Sequence, residues 1–138
     1  MNAPVPLSIL LVDDDELQQL NVRRAFDKAG LTNPLFVASD GAEALELLRS
    51  GVLPPRCLVL LDVHMPRMDG LEFLRTIRAD PVLNSLVVVM LSTSDKMEDK
   101  TEALSLNVAG YLLKSMSFPK FVDQLTVIDR YWSMMQVP

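Results

Sequence analysis

The apolar positions of this chain fall into short unbroken runs separated by stretches with a helical period. Ser8 to Val12 (SILLV), Cys57 to Leu61 (CLVLL) and Leu86 to Leu91 (LVVVML) present apolar side chains on both faces of a pleat. That is the pattern of strands buried between two layers of helices. Pro34 to Ala38 (PLFVA) and Ala109 to Leu113 (AGYLL) are weaker runs of the same kind. Between them, Glu16 to Ala29 sets Leu20, Val22, Ala25, Phe26 and Ala29 on one helical face and stops at Gly30. A second helix follows Ser39, Asp40 and Gly41, with Ala44, Leu45 and Leu48 on one face until Ser50 and Gly51. The third spans about Gly70 to Ala79 with Leu71, Leu74 and Ile77 inward, and closes at Asp80 and Pro81. The fourth, about Met97 to Leu106, shows only a thin face of Met97, Thr101 and Leu104 among charges. The last, about Phe118 to Met134, carries Phe118, Phe121, Val122, Leu125, Ile128 and Trp132 at helical spacing.

Strands alternating with helices in this way call for an α/β architecture: a five-stranded parallel sheet, five helices on its two faces, and right-handed crossovers. The first, third and fourth runs are the most continuously apolar and belong in the centre. An order of 2-1-3-4-5 satisfies this and puts the topological switch point between strands one and three. A length of 138 residues suits one domain with a sizeable core. The expectation is a single domain over 1–138, core about 7–134, with no output domain. No run approaches the roughly 18 apolar residues of a membrane span, and the start, MNAPVP, lacks the basic and apolar regions of a secretory signal. A cytoplasmic location is therefore expected. The net charge of −5 with scattered Lys and Arg argues against a nucleic-acid footprint. Cys57, the one cysteine, lies in a buried run and reads as a small packed hydrophobe.

The chemistry collects at strand ends. Asp13, Asp14 and Asp15 follow the first strand, Asp62 the third, Ser92, Thr93, Ser94 and Asp95 the fourth, and Lys114 the fifth. Taken singly each has an ordinary reading: Asp15 as a helix N-cap, Lys114 as a solvated strand-end lysine, Tyr111 as a half-buried aromatic. In a parallel sheet, however, all these ends meet at the carboxyl edge, where open α/β folds bind ligands. Three carboxylates gathered there repel one another and need a counter-charge. Lys114 supplies one, and the remaining oxygen-rich acidity suits a hexacoordinate Mg²⁺. An Asp beside such an ion, a lysine and a hydroxyl from Ser92 or its neighbour Thr93 can act as a nucleophile toward a phosphoryl group.

The stretches VDDD (12–15), SDGAEAL (39–45), LLDVHMPRMDG (60–70), LSTS (91–94) and GYLLK (110–114) resemble the receiver domain of two-component response regulators, over nearly the whole chain. The resemblance implies a flavodoxin-like, doubly wound fold and a phosphoryl group accepted on Asp62 from a sensor histidine kinase. It further implies Mg²⁺ held by Asp13, Asp14, Asp62 and the backbone carbonyl of His64. Ser92 would move toward the phosphate, Lys114 pair with it, and Tyr111 act as the aromatic switch. Output would leave through helix four, strand five and the last helix, a face that includes Lys120, Asp123, Gln124, Tyr131 and Trp132, to a homodimer or a target protein. The segment FPKFVDQLTVIDRYW (118–132) is similar to stand-alone receivers that partner bacterial phytochromes. Such a protein is not a turnover enzyme, although autodephosphorylation is expected.

Two departures and two alternatives follow. Family members usually have Lys-Pro with a cis peptide where this chain has Lys114-Ser115; a cis bond before a non-proline costs about 2.5 to 4 kcal/mol, so trans is expected. His64, the one histidine, is either a solvated loop residue or tunes phosphoryl lifetime together with Ser94. A phosphorelay intermediate remains open. An aspartyl-nucleophile phosphohydrolase of the haloacid dehalogenase type would want a second acid where His64 stands, and a cap domain.

Overall fold

The computed structural model describes residues 7–54, 56–63, 65, 67–92, 97–114 and 117–134. The elements alternate as β1 (Ser8–Val12), α1 (Glu16–Ala29), β2 (Leu35–Ala38), α2 (Gly41–Ser50), β3 (Cys57–Asp62), α3 (Gly70–Ala79), β4 (Val87–Ser92), α4 (Met97–Ser105), β5 (Gly110–Leu113) and α5 (Phe118–Met134). The strands form one parallel sheet in the order β2-β1-β3-β4-β5, the flavodoxin-like arrangement expected from the runs. The central strands are buried nearly throughout, whereas the edge strands β2 and β5 are half-buried.

Side chains of successive strand residues serve opposite faces, and the core divides accordingly. Leu10, Val12, Val59, Leu61, Val88 and Met90 face Ala44, Leu45, Phe73, Leu74 and Ile77 of α2 and α3. Ile9, Leu11, Leu58, Leu60, Val89 and Leu91 face Val22, Ala25 and Phe26 of α1 and Phe121 and Leu125 of α5. Each fully buried Leu among them contributes about 1.5–3 kcal/mol relative to an exposed one.

Helix starts are set by side-chain caps. Asp15, Asp40 and Asp69 accept backbone N–H bonds in the first turns of α1, α2 and α3, and Gly30 and Gly51 close α1 and α2 in the left-handed region. None of the described helices is long and apolar enough to cross a membrane.

Several sequence expectations need correction. Leu20 is 43% exposed, because the stripe of Val22, Ala25 and Phe26 puts it about 200° away at 100° per residue. In α3 the inward stripe includes the fully buried Phe73, while Leu71 lies on its flank. In α4, Thr101 and Leu104 are exposed and, among its described side chains, Ala103 is buried; the side chain of Met97 lies outside the described residues, as does that of Trp132 in α5. Phe118 is also exposed. The Lys114-Ser115 bond falls outside the described residues.

Candidate functional site

The switch point between β1 and β3 brings the acids together. Pairing of β1 with β3 and of β3 with β4 sets Asp62 in register with Leu91, one residue before Ser92, and the Asp13 N–H continues the ladder to the Ala38 carbonyl at 3.0 Å. One carboxylate oxygen each from Asp13, Asp14 and Asp62 lies within 4.8 Å of the others. Asp13 and Asp62 are buried and Asp14 is exposed, so the cluster has a dry floor and a wet mouth.

Asp13 is fixed from three sides. Its Oδ1 accepts from the Asp15 N–H at 2.9 Å, and its carbonyl accepts from Gln19 Nε2 at 2.7 Å. Its Oδ2 lies 2.8 Å from Lys114 Nζ, an ion pair at hydrogen-bond distance. Lys114 is placed by its own backbone, whose N–H donates to the Ser92 carbonyl at 2.7 Å, and its ammonium also lies 3.2 Å from Asp62 Oδ1. Burial by itself would push the Lys114 pKa down. The hydrogen bond and charge of Asp13, with the charge of Asp62, outweigh that and hold it above its ordinary 10.5. The lysine is therefore a fixed cation at neutral pH.

The donor set fits a hard divalent ion. Among the described residues the clustered side-chain groups are three carboxylates, one of them open to solvent, against one ammonium shared by Asp13 and Asp62, an excess of two acids over cations. Ser92 is fully buried at the end of β4. Tyr111 in β5 is half-buried, with the Lys100 ammonium 5.7 Å from its ring centroid. His64, Thr93 and Ser94 lie outside the described residues.

Three contributors were not anticipated from sequence. Gln19 pins the Asp13 peptide from one turn into α1. Gly70 opens α3 directly against the backbone of Asp62, with its N–H donating to the Val63 carbonyl at 2.8 Å. Arg67 pairs with Asp40 across the mouth of the sheet edge. A glycine just inside a capped helix start was the one visible signal among these; the other two contacts join residues that sequence spacing does not link.

Comparison with known proteins decides the family. The model of the response regulator receiver domain matches residues 9–126. The chain belongs to the response regulator receiver family. Among curated relatives, the receiver is 36% identical over 136 residues to a probable methanogenesis regulatory protein, FilR2, of Methanothrix harundinacea, covering 96% of this chain and 87% of that one. It is 30% identical over 131 residues to the response regulator Rcp1 of Synechocystis, covering 92% and 89%; the Mn²⁺-bound structure of Rcp1 superposes with a TM-score of 0.82 over 97% of this chain and 99% of that one, at 28% identity. The phosphorylated cyanobacterial phytochrome response regulator RcpA superposes with a TM-score of 0.85 at 29% identity, over 97% and 99% of the two chains. Receivers are signalling proteins that take phosphate from histidine kinases and bind Mg²⁺ or Mn²⁺ at an acidic pocket, and the receiver described here has such a pocket at the carboxyl edge of its sheet.

Proposed function

We propose that this receiver accepts a phosphoryl group on Asp62 from a phosphohistidine of a sensor kinase, in a Mg²⁺-dependent reaction, and thereby switches a protein-binding surface. The observation that carries the reading is the Lys114 ammonium bridging Asp13 and Asp62 beside Asp14. An Asp62 carboxylate oxygen attacks phosphorus in line with the P–N bond; the P–O bond forms, the P–N bond breaks, and its electron pair stays on the departing imidazole nitrogen. Lys114, held cationic, offsets the negative charge that the product adds to Asp62. Asp13, Asp14 and Asp62, with the main-chain carbonyl of His64, are the residues that would hold Mg²⁺, which when bound supplies charge neutralisation to the phosphoryl oxygens. Water returns the chain to its starting state by hydrolysing the acyl phosphate.

The switch in this reading runs from the Ser92 hydroxyl, drawn toward the phosphate, to the rotamer of Tyr111 and then to the face of α4, β5 and α5. Lys120, Asp123, Gln124 and Tyr131 are exposed there, available to a second copy or to a target protein. Two further parts are supported by the relatives. FilR2 and Rcp1 align over 87% and 89% of their own lengths, which supports reading the chain as a stand-alone receiver. The likeness to the phytochrome response regulator RcpA supports a phytochrome-type kinase as donor.

The test is intact-protein mass after incubation with acetyl phosphate and Mg²⁺. One phosphoryl group is expected on the native chain, none with a chelator and none on Asp62→Asn. No uptake under any condition, together with no beryllium fluoride complex, would overturn the reading.

A further inference from the structure

Arg67 and Asp40 form an ion pair between very unlike environments: the Arg67 side chain is 76% exposed and that of Asp40 2%. Asp40 is the N-cap of α2, with Oδ1 accepting from the Glu43 N–H at 2.8 Å. That backbone bond, against the opposing effect of burial and with the Arg67 guanidinium adding to it, holds the Asp40 carboxyl below its ordinary 3.8. Arg67 lies on the segment that joins Asp62 to α3, at φ 65. In that left-handed region glycine sits without cost and a residue with a Cβ is strained. The neighbouring residues are matched as well: a Cβ on Gly41 would come within 2.8 Å of Met68 Cγ and Sδ. Consecutive residues 67 and 68 therefore dock on consecutive residues 40 and 41, one pair by charge and the other by close packing.

An arginine held where glycine would be unstrained is explained by what its side chain does, and here the guanidinium reaches a buried carboxylate. The two ends of the segment are already fixed at the site, one by Asp62 in β3 and the other by Gly70 packed against the Asp62 backbone. Arg67 and Met68 hold the chain just before Gly70. We propose that Arg67, acting through Asp40, is a positioning residue for the phosphoacceptor site, holding the start of α3, whose Gly70 packs on the Asp62 backbone, where Asp62 is placed to bind the divalent ion. Without the pair the start of α3 spends part of its time displaced, and the apparent metal affinity falls by the fraction of molecules that remain competent. The inference rests on the Mg²⁺-dependent reading of the site given above.

The experiment is calorimetric titration of the full chain with Mg²⁺, alongside urea unfolding of the metal-free chain. Arg67→Gly relieves the backbone and removes the ion pair; it is expected to weaken Mg²⁺ binding about tenfold, the scale of lost outer-shell support for a metal ligand, while leaving the unfolding midpoint unchanged or higher. Asp40→Asn, which keeps an oxygen acceptor for the cap, is expected to weaken binding similarly. The double variant should be no weaker than either single one, because both remove one interaction. Arg67→Lys, keeping the charge, should recover most of the affinity. Arg67→Gly binding Mg²⁺ as tightly as the native chain, or losing stability with affinity intact, would overturn the proposal. If the native chain itself binds no Mg²⁺, the underlying reading of the site fails, and the native titration alone distinguishes that result.

Discussion

Gly70→Ala is the substitution whose outcome the structure constrains most tightly. A Cβ at this position would lie 2.9 Å from the Asp62 carbonyl carbon and 2.9 Å from Val63 Cα, and nearer still to the Asp62 carbonyl oxygen. Ordinary Cβ contacts are 3.4–4 Å, and all three obstacles are backbone, so relief requires α3 and β3 to separate by at least about 1 Å. Separation would stretch the 2.8 Å bond from the Gly70 N–H to the Val63 carbonyl, costing about 0.5–1.5 kcal/mol net. The overpacking adds about 1–3 kcal/mol. Against this, alanine gains up to about 1 kcal/mol over glycine in a helix. With the full alanine gain the balance is a destabilisation of about 0.5–3.5 kcal/mol, or roughly 2–12 °C in Tm for a domain of this size. The displaced group is the proposed phosphoacceptor, and a misplacement on the order of 1 Å can cost about a hundredfold in rate.

Gly41→Ala supplies the internal control. It too opens a capped helix against a crowded neighbour, but the nearest atoms are Met68 Cγ and Sδ at 2.8 Å. An unbranched thioether can swing away where a peptide cannot, so the helical gain and the repacking cost offset to within about 1 kcal/mol. Urea unfolding followed by circular dichroism gives both stabilities, and the initial rate of phosphoryl uptake from acetyl phosphate gives the second readout. The reasoning is refuted if Gly70→Ala unfolds at the same urea concentration as the native chain, or if Gly41→Ala loses more stability than Gly70→Ala.

Two further predictions concern charged side chains. The Arg78 guanidinium donates to the carbonyls of Leu106 at 2.7 Å, Asn84 at 2.9 Å, Leu86 at 2.7 Å and Asn107 at 3.2 Å. Arg78→Met keeps the stem and removes the donors, and should cost roughly 2–4 kcal/mol in urea unfolding, since bonds from a charged donor contribute about 1.5–3 kcal/mol each and do not add fully; a loss under about 0.5 kcal/mol would contradict this. Asp40, whose folded carboxyl titrates below its ordinary 3.8, contributes stability that is complete above that value and is lost as pH falls through the folded value. The stability margin of the native chain over Asp40→Asn should therefore narrow on acidification from about pH 6 to about pH 3, and a constant margin would refute the assignment.

The parts of the molecule legible in the sequence are those where burial is complete. β1, β3 and β4 read as strands because both of their faces are covered, which leaves polar residues only at their ends, Ser8, Asp62 and Ser92. Once they are central in a parallel sheet, topology alone delivers Asp13, Asp14, Asp62, Ser92 and Lys114 to one edge, and the structure brings Asp13, Asp14, Asp62 and Lys114 together there. The joints between them could not be read from the sequence. Asp40 and Arg67 are 27 positions apart, and nothing in the spacing of charges along the chain marks them as partners. Leu20 misled because a helix with few apolar residues offers more than one plausible stripe, and only the docked partner, here α5 and the sheet, selects between them. Gly70 could be read as a helix start but not as a contact with Asp62, since a clash depends on the crossing of two elements.

α4 shows why the pattern failed most where the proposed switch is located. The other helices reach the sheet through large buried side chains, such as Phe26, Leu45, Phe73 and Phe121. Among its described side chains α4 buries only Ala103 and is tied down mainly by polar contacts: Glu102 to Arg75, Lys100 over the Tyr111 ring, and the Arg78 fork on the carbonyls just past its C-terminal end. A helix held in this way has no periodic apolar face to read, which is the same fact as its low cost of displacement. Each polar tie contributes about 0.5–1.5 kcal/mol net, whereas a buried Phe contributes about 1.5–3 kcal/mol by area alone. Elements that change position on signalling come from the weakly held part of a fold. In this receiver α4 meets Tyr111, the residue of the proposed switch, through the Lys100 ammonium over its ring.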